Sequence, residues 1–166
     1  MNQEIFWKIM LDTNKESGGE PPIQQELIEK KLNGLSPDEI IEFDNIYRKL
    51  ANDAYSWKLW AAAYIVNGGC SDDCFMDFRG WLIGQGKEIY TKALADPDSL
   101  ADLNNLEEDM AWEGYGYLAF TVYEKKTGKE MRINSETSHP LEPKGEEWDE
   151  DDLEKLFPKL NKKYAR

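Results

Sequence analysis

Residues 67–83, NGGCSDDCFMDFRGWLI, concentrate the side chains that could carry chemistry. Asp73 and Asp77 are four residues apart and therefore share one face of a helix, with Asp72 adjacent. Their carboxylates could offer oxygen ligands to a hard cation such as Mg²⁺, with Arg79 available for a substrate anion. A carboxylate- or metal-dependent hydrolase or transferase is therefore the alternative function. The chain has neither calcium-loop spacing nor a phosphate-binding glycine loop with its lysine, so we assign no metal site.

Helix initiation accounts for the same segment without catalysis. Ser71 stands at an N-cap position, and Asp72 and Asp73 occupy the first turn, where carboxylates interact favourably with the positive end of the helix dipole. Gly68 and Gly69 supply the backbone freedom to end one helix and begin the next. The apolar residues that follow recur at helical spacing and are expected to face inward, with a tryptophan beside them: Phe75, Phe78, Leu82 and Trp81. We interpret the segment as structural and assign no catalytic residue.

The remaining reactive side chains offer little to nucleophilic or metal chemistry. Cys70 and Cys74 are spaced C-x-x-x-C, and their aspartate neighbours oppose thiolate formation, so we expect them to fill small apolar gaps. Two thiols and the distant His139 are too few ligands for zinc, and this single loop histidine is expected to be solvated. Arg79 is expected to be buried or half-buried in a fork with a carboxylate, with anion binding as its other use. We predict no cofactor.

The chain of 166 residues carries a formal net charge of −13, and 40% of its residues are hydrophobic. This length and composition suffice for one domain with its own core. The charge repels phosphate backbones and anionic lipids, so we expect no direct nucleic-acid binding and no membrane association. The N-terminus lacks a signal-peptide pattern, and the longest apolar run, residues 59–66, is far shorter than the roughly 18 residues of a membrane span. Because only two cysteines are present, we predict a cytoplasmic location.

Apolar periodicity predicts an all-α, single-domain, compact bundle of about six or seven helices. The most secure helix start is LSPDEI, where Ser36 and Glu39 form a capping box around Pro37. Residues 57–66 are apolar in nearly every direction around a helix, so we predict that they form the central helix, with Trp60 buried.

The second half of the chain is less regular. Asp96 before Pro97 predicts a short helix, and a longer helix is expected from about residue 107 to 126 despite two internal glycines. Residues 129–145 are expected to form a loop, followed by a short amphipathic tail interrupted at Pro158. We therefore predict a helical core over residues 1–128 and a loop with an acidic helical tail that docks on it over residues 129–166.

Several motifs of the chain occur together: Phe6-Trp7, the LSPDEI segment, the W-x-x-W-x-A-A-Y segment that starts at Trp57, and the block that follows it. In these motifs the chain resembles the bacterial domain-of-unknown-function family 4240. The resemblance covers roughly residues 1–128, and a second similar stretch lies in residues 145–149. The matching positions of the block are Gly68, Gly69, Cys70, Ser71, Asp72, Asp73, Phe75, Phe78, Arg79 and Trp81. The resemblance implies no activity and no catalytic residues, because the family has none assigned.

Acidic residues are concentrated in two segments. Residues 93–124 contain no lysine or arginine, and residues 142–154 contain only Lys144 as a base. Clustered carboxylates steer basic surfaces into contact, so we expect a non-catalytic protein-binding domain, such as an immunity or inhibitor protein for a basic partner. A solvated acidic face without a partner is the simpler alternative. The candidate partner-binding residues are Glu107, Glu108, Asp109, Glu113, Asp149 and Glu150.

Overall fold

The computed structural model of the chain describes residues 1–107 and 112–164. Nine α-helices are present in these ranges: α1 Gln3–Ser17, α2 Pro21–Asn33, α3 Pro37–Asp53, α4 Trp57–Asn67, α5 Asp72–Gly84, α6 Lys87–Ala95, α7 Leu118–Thr127, α8 Leu153–Leu156 and α9 Pro158–Tyr164. Four 3₁₀ segments accompany them, at Pro97–Asp102, Tyr115–Tyr117, Ser135–Thr137 and Glu150–Asp152. The all-α prediction is confirmed, with more helices than expected. None of the helices in the described ranges is both long and apolar enough to cross a membrane.

Local capping signals set the start of α3 as predicted. The Ser36 hydroxyl accepts a hydrogen bond from the Glu39 amide at 3.3 Å, and the Ser36 amide donates to the Glu39 carboxylate at 2.9 Å. Pro37 follows at the first helical position. A backbone N–H at this position has no acceptor within the helix, so the absence of an N–H in proline costs no hydrogen bond. The capping box is confirmed because it depends only on residues within one turn.

The central helix is α5 rather than α4, so that part of the prediction is wrong. The second half of α5 is buried without interruption from Phe78 to Gly84, and the helix packs against α1, α3, α4 and α6. In α4 the alanines and Leu59 face inward, whereas Trp60 and Tyr64 are only partly buried. An apolar composition on every side of a helix does not reveal which side faces solvent, and the bulky aromatic side of α4 is the less covered one.

The helix expected over residues 107–126 begins only at Leu118. Trp112 and Glu113 are not helical, and Gly114 has a φ of 109°, a left-handed conformation that interrupts an α-helix. Residues 108–111 of the predicted helix lie outside the described residues. The structure thus places the break at the glycines that weakened the helical pattern.

The C-terminal segment returns to the helical body and is fastened to it by polar contacts. Lys144 pairs with the start of α4 through two backbone hydrogen bonds, to the Tyr55 carbonyl at 2.9 Å and from the Trp57 amide at 3.0 Å. The buried Asp98 carboxylate accepts from the Lys159 and Leu160 amides of α9 at 3.2 and 2.9 Å. Asp98 therefore caps α9 from a distant part of the chain and does not belong to an exposed acidic surface. The division of the chain after residue 128 stays a prediction.

The difference between α4 and α5 can be measured with two tryptophans. Trp81 in α5 is 0% exposed, so Trp81→Ala should lower the free energy of unfolding by about 3–5 kcal/mol, as is usual for a large buried aromatic. Trp60→Ala should cost less, because Trp60 is only half-buried. Urea denaturation of both variants tests this ordering, and an equal or larger loss for Trp60→Ala would contradict it.

Asp98 offers a test of how α9 is held. Asp98→Ala should lower the free energy of unfolding by about 1–3 kcal/mol, because two helix-start amides lose their acceptor in a buried place. Asp96→Ala is the matched control: this aspartate is exposed, its side chain caps nothing, and its loss should change stability by less than about 0.5 kcal/mol. Thermal unfolding followed by circular dichroism compares the two, and indistinguishable melting temperatures would show that Asp98 is not needed as a cap.

Candidate functional site

The turn between α4 and α5 is built as the sequence predicts. Gly68 ends α4 with a φ of 62°, and the Ser71 hydroxyl caps α5 by accepting from the Cys74 amide at 3.2 Å. Asp72 and Asp73 are exposed in the first turn, where their charge complements the helix dipole. The Ser71 cap is therefore confirmed.

Cys70 and Cys74 form a disulfide across this turn, with their Cα atoms 5.3 Å apart. The expectation that they are separate thiols filling apolar gaps is wrong, because the turn that leads into α5 brings Cys70 within bonding reach of Cys74 in the first turn of the helix. Disulfides persist mainly in oxidising compartments, so this pair does not support the cytoplasmic location, which stays a prediction.

The three aspartates of the alternative metal site do not converge with further ligands. Asp72 accepts a hydrogen bond from the Tyr55 hydroxyl at 3.3 Å, Asp73 points to solvent, and Asp77 lies one turn further along α5. Within the described ranges, no group of three or more His, Cys, Asp or Glu side chains is arranged to hold a metal ion.

A stack of aromatic rings underlies the turn. The rings of Trp57 and Trp60 lie 5.2 Å apart at an angle of 8°, and those of Trp60 and Phe75 lie 5.1 Å apart at 13°. The Trp60 indole N–H donates to the Cys70 carbonyl at 2.9 Å, which ties the stack to the turn. Because the rings are nearly parallel and Trp60 is hydrogen-bonded to the turn, they form a rigid packing surface beneath the start of α5.

Arg79 is the most unusual side chain of the block. It is only 1% exposed, and its guanidinium carbon lies 4.5 and 4.9 Å from the ring centroids of Tyr55 and Phe75. Its Nε donates to the Phe75 carbonyl at 3.3 Å and its Nη1 to the Ala51 carbonyl at 2.8 Å. Burial lowers the pKa of the guanidinium, although arginine keeps its charge in proteins.

The predicted carboxylate fork of Arg79 is absent. Among the described residues, no carboxylate oxygen lies within 4.0 Å of the guanidinium, and neutral oxygens and aromatic rings take its place. The prediction failed because closeness in sequence does not bring a carboxylate into contact: Asp72 accepts from Tyr55 instead, and Asp77 lines the same cavity as Arg79 without pairing with it.

His139 is the third partner of Arg79: its side chain is exposed, as predicted, but it also makes specific contacts. Arg79 Nη2 lies 3.1 Å from His139 Nε2, and His139 Nδ1 lies 2.7 Å from the Pro140 carbonyl oxygen. A carbonyl can only accept, so Nδ1 carries the proton and Nε2 accepts from Arg79. The ring also lies 4.5 Å from that of Tyr55. The exposed loop histidine therefore covers a buried cation.

Arg79 and His139 border a cavity of about 200 Å³ between α3, α5, the Tyr115–Tyr117 segment and the loop. We call it the Arg79 cavity. The Tyr47 side chain and the half-buried Asp77 carboxylate also line it. Burial raises the pKa of Asp77, and the charges of Glu113 and Asp73 raise it further. The cavity thus places a cation, a phenol and a carboxylate around one small space.

Sequence reasoning missed most of this cavity. Tyr47 is not among the candidate residues of the sequence, and Tyr115 falls in the helix expected from about residue 107 to 126, where the structure has the 3₁₀ segment Tyr115–Tyr117. The sequence does contain one signal, which is Gly80. A glycine inside a helix lowers helix stability, so its presence indicates that another group packs too closely there for a side chain. A Cβ atom at Gly80 would lie 2.6 Å from the Tyr47 hydroxyl oxygen and 3.0 Å from the Tyr115 Cβ.

The candidate partner-binding residues lie apart from the cavity or at its edge. Glu107, Glu113, Asp149 and Glu150 are all exposed. The other two candidates, Glu108 and Asp109, lie outside the described residues. The exposed candidates belong to two segments of the chain, before Tyr115 and before α8.

The chain belongs to the family described as protein of unknown function, DUF4240, whose model matches residues 1–125. The matched range contains α1 to α6 and most of the Arg79 cavity, whereas His139 and residues 146–154 lie beyond it. No curated protein and no solved structure matches the chain.

Asp77 should make stability depend on pH. A carboxyl group with a raised pKa binds its proton more tightly in the folded state, so its contribution is favourable in acid and is lost as the pH rises through the folded pKa. Asp77→Asn should therefore raise the melting temperature at pH 7. The gain should vanish near about pH 3, below the ordinary aspartate pKa of about 3.9.

Asp73→Asn is the control for this experiment. Asp73 is exposed in the first turn of α5, where its charge is favourable, so its replacement should not raise the melting temperature at pH 7. Equal melting temperatures of Asp77→Asn and the wild type at pH 7 would contradict the assignment.

Proposed function

We propose that the chain is a non-catalytic protein-binding domain that recognises a basic partner through residues 146–154, here called the acidic face. This segment, EEWDEDDLE, contains seven carboxylates in nine residues, and all seven acidic residues are exposed. Among the described residues, no charged lysine or arginine nitrogen lies within 4.0 Å of their carboxylate oxygens. These unpaired carboxylates are the observation that carries the proposal. If they were paired with lysine or arginine, the opposite charges would largely cancel, and the electrostatic field that attracts a basic partner would be weak.

The acidic face is held on the body of the protein by apolar anchors. The Trp148 ring lies 4.9 Å from that of Tyr64 in α4, and Leu153 and Phe157 are buried. The Asp149 carboxylate accepts from the Asp151 amide at 3.1 Å and so starts the short 3₁₀ turn. Because the segment is already ordered, binding a partner does not cost the conformational entropy of ordering it. This favours a recognition surface over a solvated acidic face without a partner.

A groove beside the acidic face suggests what the partner presents. The groove has a volume of about 610 Å³ and combines acidic side chains with the apolar Leu94, Leu156 and Phe157, of which Leu156 is 52% exposed. Lysine and arginine side chains have an apolar stem and a charged head, so they suit a groove with an apolar floor and an acidic rim. Lys58 and Lys144 also border the groove and limit its negative charge at one end.

One residue of the first acidic segment, Glu107, lies close to α9. The Tyr164 hydroxyl donates to the carbonyl of Leu106, the residue before Glu107, and Tyr164 lines a shallow cavity together with Glu150. Glu107 therefore lies near the end of α9 that also neighbours the acidic face. Asp102 contributes less to this surface, because it is paired with Lys92 at 3.3 Å.

An immunity or inhibitor protein for a basic toxin or nuclease is the kind of protein that fits this proposal, acting in the cytoplasm. The electrostatic field of such a protein accelerates its association with a basic partner. The acceleration decreases as ionic strength rises, because salt screens the charges. A partner recognised through the acidic face should therefore bind quickly at low salt and more slowly at high salt.

Two charge-reversed variants test the proposal. In the first, Glu147, Glu150 and Glu154 become lysine; in the control, the exposed Glu16, Glu130 and Glu136 become lysine, with the same change in net charge. Immobilised protein is used for a pull-down from the source organism at low and high salt. We expect the wild type and the control to retain the same basic protein at low salt, and the acidic-face variant to lose it. Retention that is indifferent to salt would show that charge does not drive the binding, and equal loss from both variants would show that only the overall charge matters. Either outcome would contradict the proposal.

A further inference from the structure

We propose that the Arg79 cavity binds a small molecule through a carboxylate group of that molecule. Arg79 is 1% exposed, yet no carboxylate oxygen of the described residues lies within 4.0 Å of its guanidinium nitrogens. Carbonyl oxygens and rings satisfy part of its hydrogen-bonding capacity but bring no opposite charge. A buried charge without a counter-charge is unfavourable, so a bound carboxylate would be stabilised by the electrostatics already present.

The guanidinium has donors left for such a ligand. Three of its five N–H groups are used in the contacts with Phe75, Ala51 and His139, which leaves two. Those contacts and the two rings hold the guanidinium plane in place, so little freedom remains to be lost on binding. Arginine is the side chain whose planar donors match the two oxygens of a carboxylate.

Tyr47 supplies a second donor in the same cavity. Its side chain is buried and lines the cavity, and its hydroxyl makes no hydrogen bond to any described residue. Burial raises the pKa of Tyr47, so the phenol keeps its proton and can donate it to an anion. The neighbouring Tyr115 differs, because its hydroxyl is already engaged with the Gln24 side chain at 2.8 Å. Gly80 makes room for the Tyr47 hydroxyl, since a Cβ there would lie 2.6 Å from its oxygen.

The other charges around the cavity favour a singly charged ligand. Arg48 also lines the cavity but is paired with Asp44 at 2.7 Å, so Arg79 is the cation available to a ligand. Asp77 opposes any anion there, and it opposes a phosphate dianion more than a carboxylate. Met76 and Tyr117, which are 40% and 58% exposed, also line the cavity and can contact the apolar body of the ligand.

Benzoate is a suitable probe, because it joins one carboxylate to an apolar ring. In an NMR titration of the isotopically labelled chain, benzoate should produce saturable shifts of the Arg79 Nε–H signal and of amides around the cavity. Inorganic phosphate at matched ionic strength is the competing anion and should bind more weakly. Acetate tests whether the carboxylate alone suffices, and it should shift the same signals with lower affinity.

Two conservative variants and one control variant identify the site without disturbing Arg79. Tyr47→Phe keeps the ring and removes the donor, so it should raise the dissociation constant of benzoate about tenfold, whereas Tyr123→Phe in α7 should leave it unchanged. Asp77→Asn should lower the dissociation constant several-fold, by about the effect of one nearby like charge. The absence of saturable shifts, equal affinity in Tyr47→Phe and the wild type, or tighter binding of phosphate than of benzoate would each overturn the proposal.

Discussion

The buried guanidinium of Arg79 is the constraint on which much of this structure depends. A charged group removed from water must have its donors satisfied, and here the partners come from three separate parts of the chain. They are the Ala51 carbonyl of α3, the Phe75 carbonyl of α5 and the imidazole of His139 in the loop after α7. The position of α3 against α5 and the path of the loop are therefore linked through one side chain. The rings of Tyr55 and Phe75 add an attraction that requires no opposite charge.

A second buried polar side chain, Gln24, plays a similar part at the other end of α5. Its amide nitrogen donates to the Gly84 carbonyl at 2.7 Å and to the Met10 carbonyl at 3.2 Å, and its oxygen accepts from the Tyr115 hydroxyl at 2.8 Å. One amide thereby joins α1, α2, α5 and the Tyr115–Tyr117 segment. Because this bond orients Tyr115, and the ring of Tyr115 lines the Arg79 cavity, the shape of the cavity follows from how the helices are joined.

Most of the negative charges of the protein lie at its surface, whereas one positive charge, that of Arg79, is buried. Carboxylates cover the surface and give the chain its net charge of −13, whereas the cation with the least exposure lies inside, beside a cavity. The groove at the acidic face and the Arg79 cavity share no lining residue, so the two proposed binding events use different elements. An interior charge is weakly screened by salt, and a surface charge is strongly screened, so ionic strength can distinguish the two kinds of binding.

The sequence by itself determined the features that depend on neighbours within one or two turns. Ser36 and Ser71 cap their helices, Pro158 separates α8 from α9, and the helical spacing of apolar residues predicts an all-α fold. The tertiary structure alone decided which helix is central, which partners Arg79 finds, and that Asp98 caps α9 from about sixty residues away in the chain. Periodicity shows that a helix has an apolar side but not what covers that side. A buried polar group can be satisfied by any donor or acceptor that the packing brings to it, so its partners cannot be read from its sequence neighbours.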